Sequence, residues 1–312
     1  MANIKSADEV KTVIIVLNYN DYKTCLKFVA ETKGYEVFDR VILVDNCSTD
    51  DSVRFLNPVV DGRVELVQSI ENKGYAYGNN VGMKYAVKKY ANLETLIISN
   101  PDIHISESDV ERILVPLKSE YGMSTGLIYN YNPQNESKTL ASNFGWRVPS
   151  YGDMLSNCFL LAYKIKRVVF KNSMYLDYNN AKDQELIPVE CVPGCFFALS
   201  VSAAKKIDYM DEGTFLFGEE TILGKRLKDA DFKACIVNKT TVLHENSVSI
   251  NKSVKNSKIK ANYRLQSEML YLKNYLCCSS FKLSIYKALY ELGLAEKKLT
   301  QNLIGKFHNQ RC

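Results

Sequence analysis

Four groups of residues have the types and spacing that chemistry needs. Asp102 closes the turn Ser99-Asn100-Pro101-Asp102, directly after the apolar run from Thr95 to Ile98. A carboxylate at the end of a buried strand can take a hard divalent cation through oxygen, and that cation can hold a diphosphate. Asx-Pro-Asp sequences also cap turns, so the residue alone leaves both roles open. His244 follows the β-like run Thr240 to Leu243 and precedes polar Glu245-Asn246-Ser247. A neutral imidazole at a strand end is either a metal ligand or a hydrogen-bonded surface side chain. The other two histidines, His104 and His308, read as structural or solvent-exposed.

Glu219 and Glu220 follow the aromatic run Phe215-Leu216-Phe217 and Gly218. Carboxylates are favoured in the first turn of a helix. One of the two could instead serve as a general base, and only one can face a pocket, because adjacent helical residues point about 100° apart. The last group, Glu71 to Gly82 (ENKGYAYGNNVG), places three Gly, three Asn and one Lys between a strand and a helix. Glycines let the backbone approach a ligand and amides suit hydroxyls and phosphate, although the same composition makes an ordinary turn. Neither the dinucleotide fingerprint nor a P-loop is present.

The elements that must position these groups alternate in type. Buried strands are expected at Thr12–Leu17, Arg40–Val44, Val64–Val67 and Thr95–Ile98, each an apolar run ended by polar residues. Helical spacing lies between them, at Tyr22, Cys25, Leu26 and Val29 and again from Tyr77 to Tyr90. This alternation specifies an α/β fold with a mainly parallel sheet, and ligands of such sheets lie beyond the carboxyl ends of the strands. That rule selects Asn18, Asp45 and Asn100 to Asp102. Downstream, the reading gives a helical insertion from Asp153 to Phe170, then a strand from Glu190 to Leu199 broken by Pro193-Gly194. A helix running from Thr214 to Lys228 and a strand from Phe232 to Val237 follow. A soft boundary falls near Ser249, and helices are expected at Ala261–Tyr275 and Phe281–Ile304.

The bulk composition is that of an ordinary globular chain: 312 residues, 46% hydrophobic and 24% charged, enough for one large domain with an appendage. The net charge of +5 is concentrated between Lys252 and Lys273, a run that suits either an anionic membrane face or plain solvation. No reader motif supports nucleic-acid binding. Nine scattered cysteines show neither zinc nor disulfide spacing and read as reduced thiols of a cytoplasmic protein. No signal peptide or spanning helix is expected.

Seven segments in register resemble inverting glycosyltransferase family 2, in its rhamnosyltransferase-like and galactofuranosyltransferase-like branch. They are VIIVLNYN (13–20), VDNCSTDDS (44–52), NKGYAYGNNVG (72–82), ISNPDI (98–103), VPGCFFALS (192–200), FLFGEE (215–220) and VLHENSVS (242–249). The resemblance implies a GT-A fold over residues 1–249, an acceptor-side insertion at about 131–187 and a basic helical region over 250–312. It implies that Asn18 and Asp45 contact the base of a UDP- or dTDP-linked donor. Asn72, Lys73, Gly74, Asn80 and Asn100 would then line the nucleotide-sugar cradle. Asp102 and His244 would hold a divalent cation, Mg²⁺ or Mn²⁺, and Glu220, beside Glu219, would be the catalytic base. Pro193, Gly194 and Cys195 would border the acceptor or transferred sugar.

Two positions depart from the family pattern: Asn100 stands where the first acid of the metal-binding D-x-D element is expected, and Glu220 is one methylene longer than the usual Asp. The expected acceptor is a glycan or lipid-linked glycan of a bacterial surface polysaccharide, met at the cytoplasmic membrane face. The C-terminal helices either pair subunits or cover the domain. A catalytically silent binding subunit of a glycan assembly complex is the rival reading, and the joint presence of Asp102, Glu220 and His244 opposes it.

Overall fold

A computed structural model describes residues 4–168, 173–245 and 256–309. The segment 246–255 lies outside the described residues. With it go the end of the 242–249 motif, the boundary near Ser249, and Lys252 and Lys255. The side chain of His308 is likewise not described.

The amino-terminal part follows the apolar runs. Strands β1 (Thr12–Asn18), β2 (Arg40–Asp45), β3 (Val64–Gln68) and β4 (Thr95–Ser99) alternate with helices α1 (Tyr22–Thr32), α2 (Ser52–Leu56) and α3 (Tyr75–Lys89). All four strands pair in parallel, in the order β3-β2-β1-β4. Val13 to Val16, Ile42 to Val44 and Leu96 to Ile98 are fully buried, which is why these runs are continuous rather than alternating. Parallel pairing places every strand end on one edge. The polar residues Asn18, Asp45 and Asn100 therefore emerge side by side.

The sheet then changes character. Beyond β4 come β9 (Phe196–Ser200), β6 (Tyr121–Asn132), β10 (Lys233–His244) and β5 (Ile103–Ile105), with β7 (Ser137–Leu140) on β6 and β8 (Leu186–Val189) on β10. The β4–β9, β6–β9, β6–β7, β8–β10 and β5–β10 pairings are antiparallel, and β6–β10 is parallel. The strand expected at Glu190–Leu199 forms only after Pro193-Gly194, as β9, while β8 ends before Glu190 and lies outside that expectation. Helices α4 (Glu107–Leu114), α5 (Tyr151–Cys158), α6 (Leu160–Val168), α7 (Val201–Lys206) and α8 (Glu219–Asp229) complete this part.

Two helices end the described chain, α9 (Ser257–Leu270), continued by a π turn over Tyr271–Tyr275, and α10 (Ser280–Asn309). They do not stand apart. Tyr271, Leu272, Tyr286 and Tyr290 form a second core with Met154 and Cys158 of α5 and Ile222 of α8. Among the described residues, no helix is long and apolar enough to cross a membrane, and the eight described cysteines are free thiols.

Candidate active site

The metal-type pair is assembled by strand register. Asp102 sits in the turn between β4 and β5, and the antiparallel β5–β10 pairing places His244 opposite Ile103. The β10 strand reaches that register through a bulge, because Val237 pairs with Gly126 while Thr241 pairs with Leu127. The three intervening residues are pinned by Asn238, whose Nδ2 donates to Lys182 O (2.8 Å) and Gln184 O (2.7 Å). Its Oδ1 accepts from the Tyr178 hydroxyl. Such a bulge re-aims the strand beyond it.

Asp102 Oδ1 and His244 Nε2 end 3.3 Å apart. Both are buried, and neither has a well-formed hydrogen bond among the described residues. Burial opposes a charge on His244, but Asp102 and Cys195 beside it more than offset this and raise its pKa to about 10. Two unsatisfied ligand atoms at this spacing fit adjacent corners of one octahedral cation, where ligands about 2.1 Å from the metal lie roughly 3 Å from each other. A cation there takes the place of the imidazole proton. No cluster of three His, Cys, Asp or Glu side chains is found among the described residues, so water and a ligand's oxygens must complete the shell. Asn100, the amide in place of the first acid, lines the same cleft, with its N–H donating to Cys195 O at 2.8 Å.

A cleft of about 520 Å³ opens from His244 and the adjoining Asn100-Pro101 along the strand ends, a volume typical of cofactor and substrate sites. The Gly-rich segment makes one wall. Asn72 Oδ1 accepts from Gly74 N and Asn46 Nδ2, each at 3.0 Å. Gly74 has φ +106°, and a Cβ there would lie 2.1 Å from Phe215 O, so only glycine lets this loop clasp the 215–217 segment. The Tyr75 hydroxyl donates to Gly194 O at 2.6 Å, tying the wall to Pro193-Gly194-Cys195, all three of which line the cleft.

Other predicted residues sit apart from it. Asn18 and Asp45 are buried and bonded to each other, Nδ2 to Oδ1 at 2.8 Å, while Asp45 Oδ2 accepts from Ser48 N. Each carboxylate oxygen keeps a second lone pair, but the cleft walls at this end are Tyr19, Asp21 and Asn46. Asn80 is spent inside the fold: it donates to Met210 O and Glu212 Oε1 and accepts from Met210 N. Lys73 is exposed, paired with Glu71 and placed over the Tyr77 ring. His104 is structural, as expected, bridging Glu31 and Glu245.

The carboxylate pair begins α8. Phe217 (φ +70°) and Gly218 (φ +82°) are both left-handed, a sharp turn that aims the first residues of α8 into the cleft. Burial, then repulsion from Glu220, pushes the Glu219 carboxyl well above the usual range, and its Oε2 has no partner among the described residues. Burial raises Glu220 too, against the opposing pull of the backbone at Glu220 and Gly194 and of the Arg264 charge. A Cβ on Gly194 would lie 3.0 Å from Glu220 Oε1, so the bare glycine is what admits this carboxylate.

Glu220 also lines a second cavity, of about 390 Å³, on the side away from Asp102 and His244. The sequence reading missed its far wall and part of the cleft's. Tyr263 of α9 stacks on Phe215 (4.6 Å between centroids), and Arg264 lies over Phe217 (5.0 Å). Tyr75 was within a quoted motif, whereas Tyr263 and Arg264 lie in the run read as a basic face and carry no local signal. Of that run, Lys258, Arg264 and Lys273 are all exposed, and Arg264 also lines the cavity.

Comparison with known proteins gives the fold and the family. The hexosyltransferase Agl10 of low-salt glycan biosynthesis in Haloferax volcanii is 23% identical over 210 residues, which is 66% of this chain and 58% of that protein. This chain thus spans less than two thirds of the relative's length. The mannosyltransferase PcManGT of Pyrobaculum calidifontis, solved with GDP-Man and Mn²⁺, superposes with a TM-score of 0.54 at 12% identity, over 94% of this chain and 75% of that one. A mycobacterial protein superposes with a TM-score of 0.52 at 11% identity, over 88% and 78% of the two chains. These likenesses establish the GT-A fold. The sequence profile of glycosyl transferase family 2 matches residues 13–207, more than half of the chain, and the chain belongs to that family.

Proposed function

We propose that the protein transfers a hexosyl unit from a nucleoside-diphosphate sugar, UDP- or dTDP-linked, to a hydroxyl of a growing glycan, with inversion at the anomeric carbon. The observation that carries this reading is the position of Glu220 on the boundary of two cavities, with His244, 3.3 Å from Asp102, lining one of them only. The donor occupies the cleft of Asn72, Gly74 and Asn100, and the acceptor approaches through the second cavity. Glu220 takes the proton of the attacking hydroxyl as its oxygen bonds to the anomeric carbon. The bond from that carbon to the diphosphate breaks on the opposite face.

Burial lifts the basicity of Glu220 toward that task. The Gly194 backbone holds its carboxylate in place, and Phe215 and Tyr263 cover the cleft against water. A divalent cation on Asp102 and His244 would neutralise the charge that develops on the departing diphosphate. The Mn²⁺ in the PcManGT structure supports that assignment. The hexosyltransferase relative supports a hexose and a glycan acceptor.

The test is hydrolysis and transfer by the purified protein with a panel of UDP-, dTDP- and GDP-sugars and Mn²⁺. One donor should be consumed, and Glu220→Gln should lower the rate by about 10²- to 10⁴-fold, the range for loss of a general base. Equal rates in wild type and variant, or no consumption of any donor, would favour a silent sugar-nucleotide-binding subunit instead.

A further inference from the structure

The second cavity is more than an approach to Glu220, because its charges are arranged in an unusual way. Arg264 and Glu268 stand one turn apart on α9, the spacing at which such side chains ordinarily pair. They form no ion pair here. Glu268 instead accepts from the Tyr286 hydroxyl at 2.7 Å, and Arg264 lies over the Phe217 ring. Lys297 of α10 lines the same cavity. Among the described residues, neither Arg264 nor Lys297 has an ion pair or a hydrogen bond to an acid. Burial pushes Glu268 up while the charges of Arg264 and Lys297 pull it down, so both cations lie near this carboxylate without bonding it. The opposite wall is aromatic, with Trp146 and Tyr175 in contact (6.1 Å between centroids), and the Trp146 Nε1–H donates to Thr221 Oγ1. An aromatic wall suits the C–H face of a sugar ring. The two cations share the cavity with Glu220 and Glu268, yet neither is held in a direct ion pair, so both can turn to an oxyanion that a neutral sugar lacks.

We propose that this cavity selects an acceptor whose sugar carries an anionic group, a carboxylate or a phosphate ester, recognised by Arg264 and Lys297 while a free hydroxyl reaches Glu220. The inference rests on the transferase reading and names the class of its acceptor. Arg264 would supply the planar, two-pronged contact that oxyanions accept, and Lys297 a second point charge. Both residues lie on the C-terminal helices, away from the donor cleft's metal pair.

The experiment measures binding of three probes by NMR titration, with and without UDP and Mn²⁺: methyl glucuronoside, glucose 6-phosphate and methyl glucoside. At least one anionic probe should bind about tenfold more tightly than the neutral one, with an advantage that shrinks as salt is added. Which anionic probe wins separates a uronic acid from a sugar phosphate. The double variant Arg264→Gln/Lys297→Gln should erase the preference, and Arg264→Lys should keep part of it. The proposal is overturned if the neutral glycoside binds as well as both anionic probes. Failure of both anionic probes to bind, or a preference that survives in the double variant, also overturns it. Donor hydrolysis, which needs no acceptor, is read in parallel. Its absence would count against the transferase reading while leaving the probe result to judge the cavity.

Discussion

At the scale of single residues, the site is built from polar atoms left without partners. Asp102 Oδ1, His244 Nε2 and Glu219 Oε2 are all buried without a well-formed hydrogen bond, three of the six such side-chain atoms among the described residues. Glu219 gives this burial a pH signature. Its folded-state pKa is raised above the value it has in the unfolded chain, first by burial and then by Glu220. The neutral form is therefore the one the fold prefers. Stability is fully present below the unfolded pKa and is lost as pH rises toward the folded one, by up to about 1.4 kcal/mol per unit for one proton. Melting curves at pH 5, 6.5 and 8 should show wild type losing ground to Glu219→Gln as pH rises; parallel losses in the two proteins would refute the account. As the proposed base, Glu220 would have to be ionised to accept a proton, and burial raises it as well, so turnover should climb with pH above the ordinary glutamate range.

At the scale of elements, the β10 bulge decides whether two distant positions meet. Asp102 and His244 are separated by nearly half the described chain, and the offset at Asn238 brings the end of β10 into register with β5. Asn238→Ala removes two donors to carbonyls and leaves Lys182 O and Gln184 O short of partners. The expected cost is about 3 kcal/mol of stability. It should be joined by weaker Mn²⁺ binding, measured by electron paramagnetic resonance, with unchanged Mn²⁺ affinity counting against the bulge as a positioning device. The elements also show what a sequence can carry. β1, β2 and β4 were legible because burial on both faces demands unbroken apolar runs. β6 was not, although Gly122 to Ile128 are all buried. Gly122, Ser124, Thr125 and Gly126 interrupt its pattern, and their hydroxyls are satisfied inside the fold, Ser124 by Ile113 O and Thr125 by Phe196 O. The pair of acids and the Asn100-to-Asp102 turn could be picked out from local context. The wall formed by Tyr263 and Arg264 could not, because α9 meets the site through tertiary packing alone.

At the scale of the whole molecule, the proposed function puts the donor cleft at the parallel half of the sheet, the metal pair at the mixed half and the acceptor side over the second core. Glu220 stands where the three meet, so ligand binding on one side can be separated from chemistry by a global measurement. A ligand that binds only the folded state stabilises it by about 2.7 kcal/mol at 100 times its dissociation constant, several degrees of melting temperature for a protein of this size. On the proposed reading Mn²⁺ would have two protein ligands among the described residues and should give little shift alone. Mn²⁺ with the matching nucleoside diphosphate should give the full shift, because the diphosphate oxygens complete the coordination shell. Asp102→Asn and His244→Ala should each lose most of it, by removing one of the two ligands. Glu220→Gln should keep it, since that side chain faces the attacking hydroxyl rather than the metal. A shift that survives in both metal-site variants would place the cation elsewhere. A shift lost in Glu220→Gln would move that carboxylate from the chemistry to donor binding, and would remove the division of labour between the two cavities.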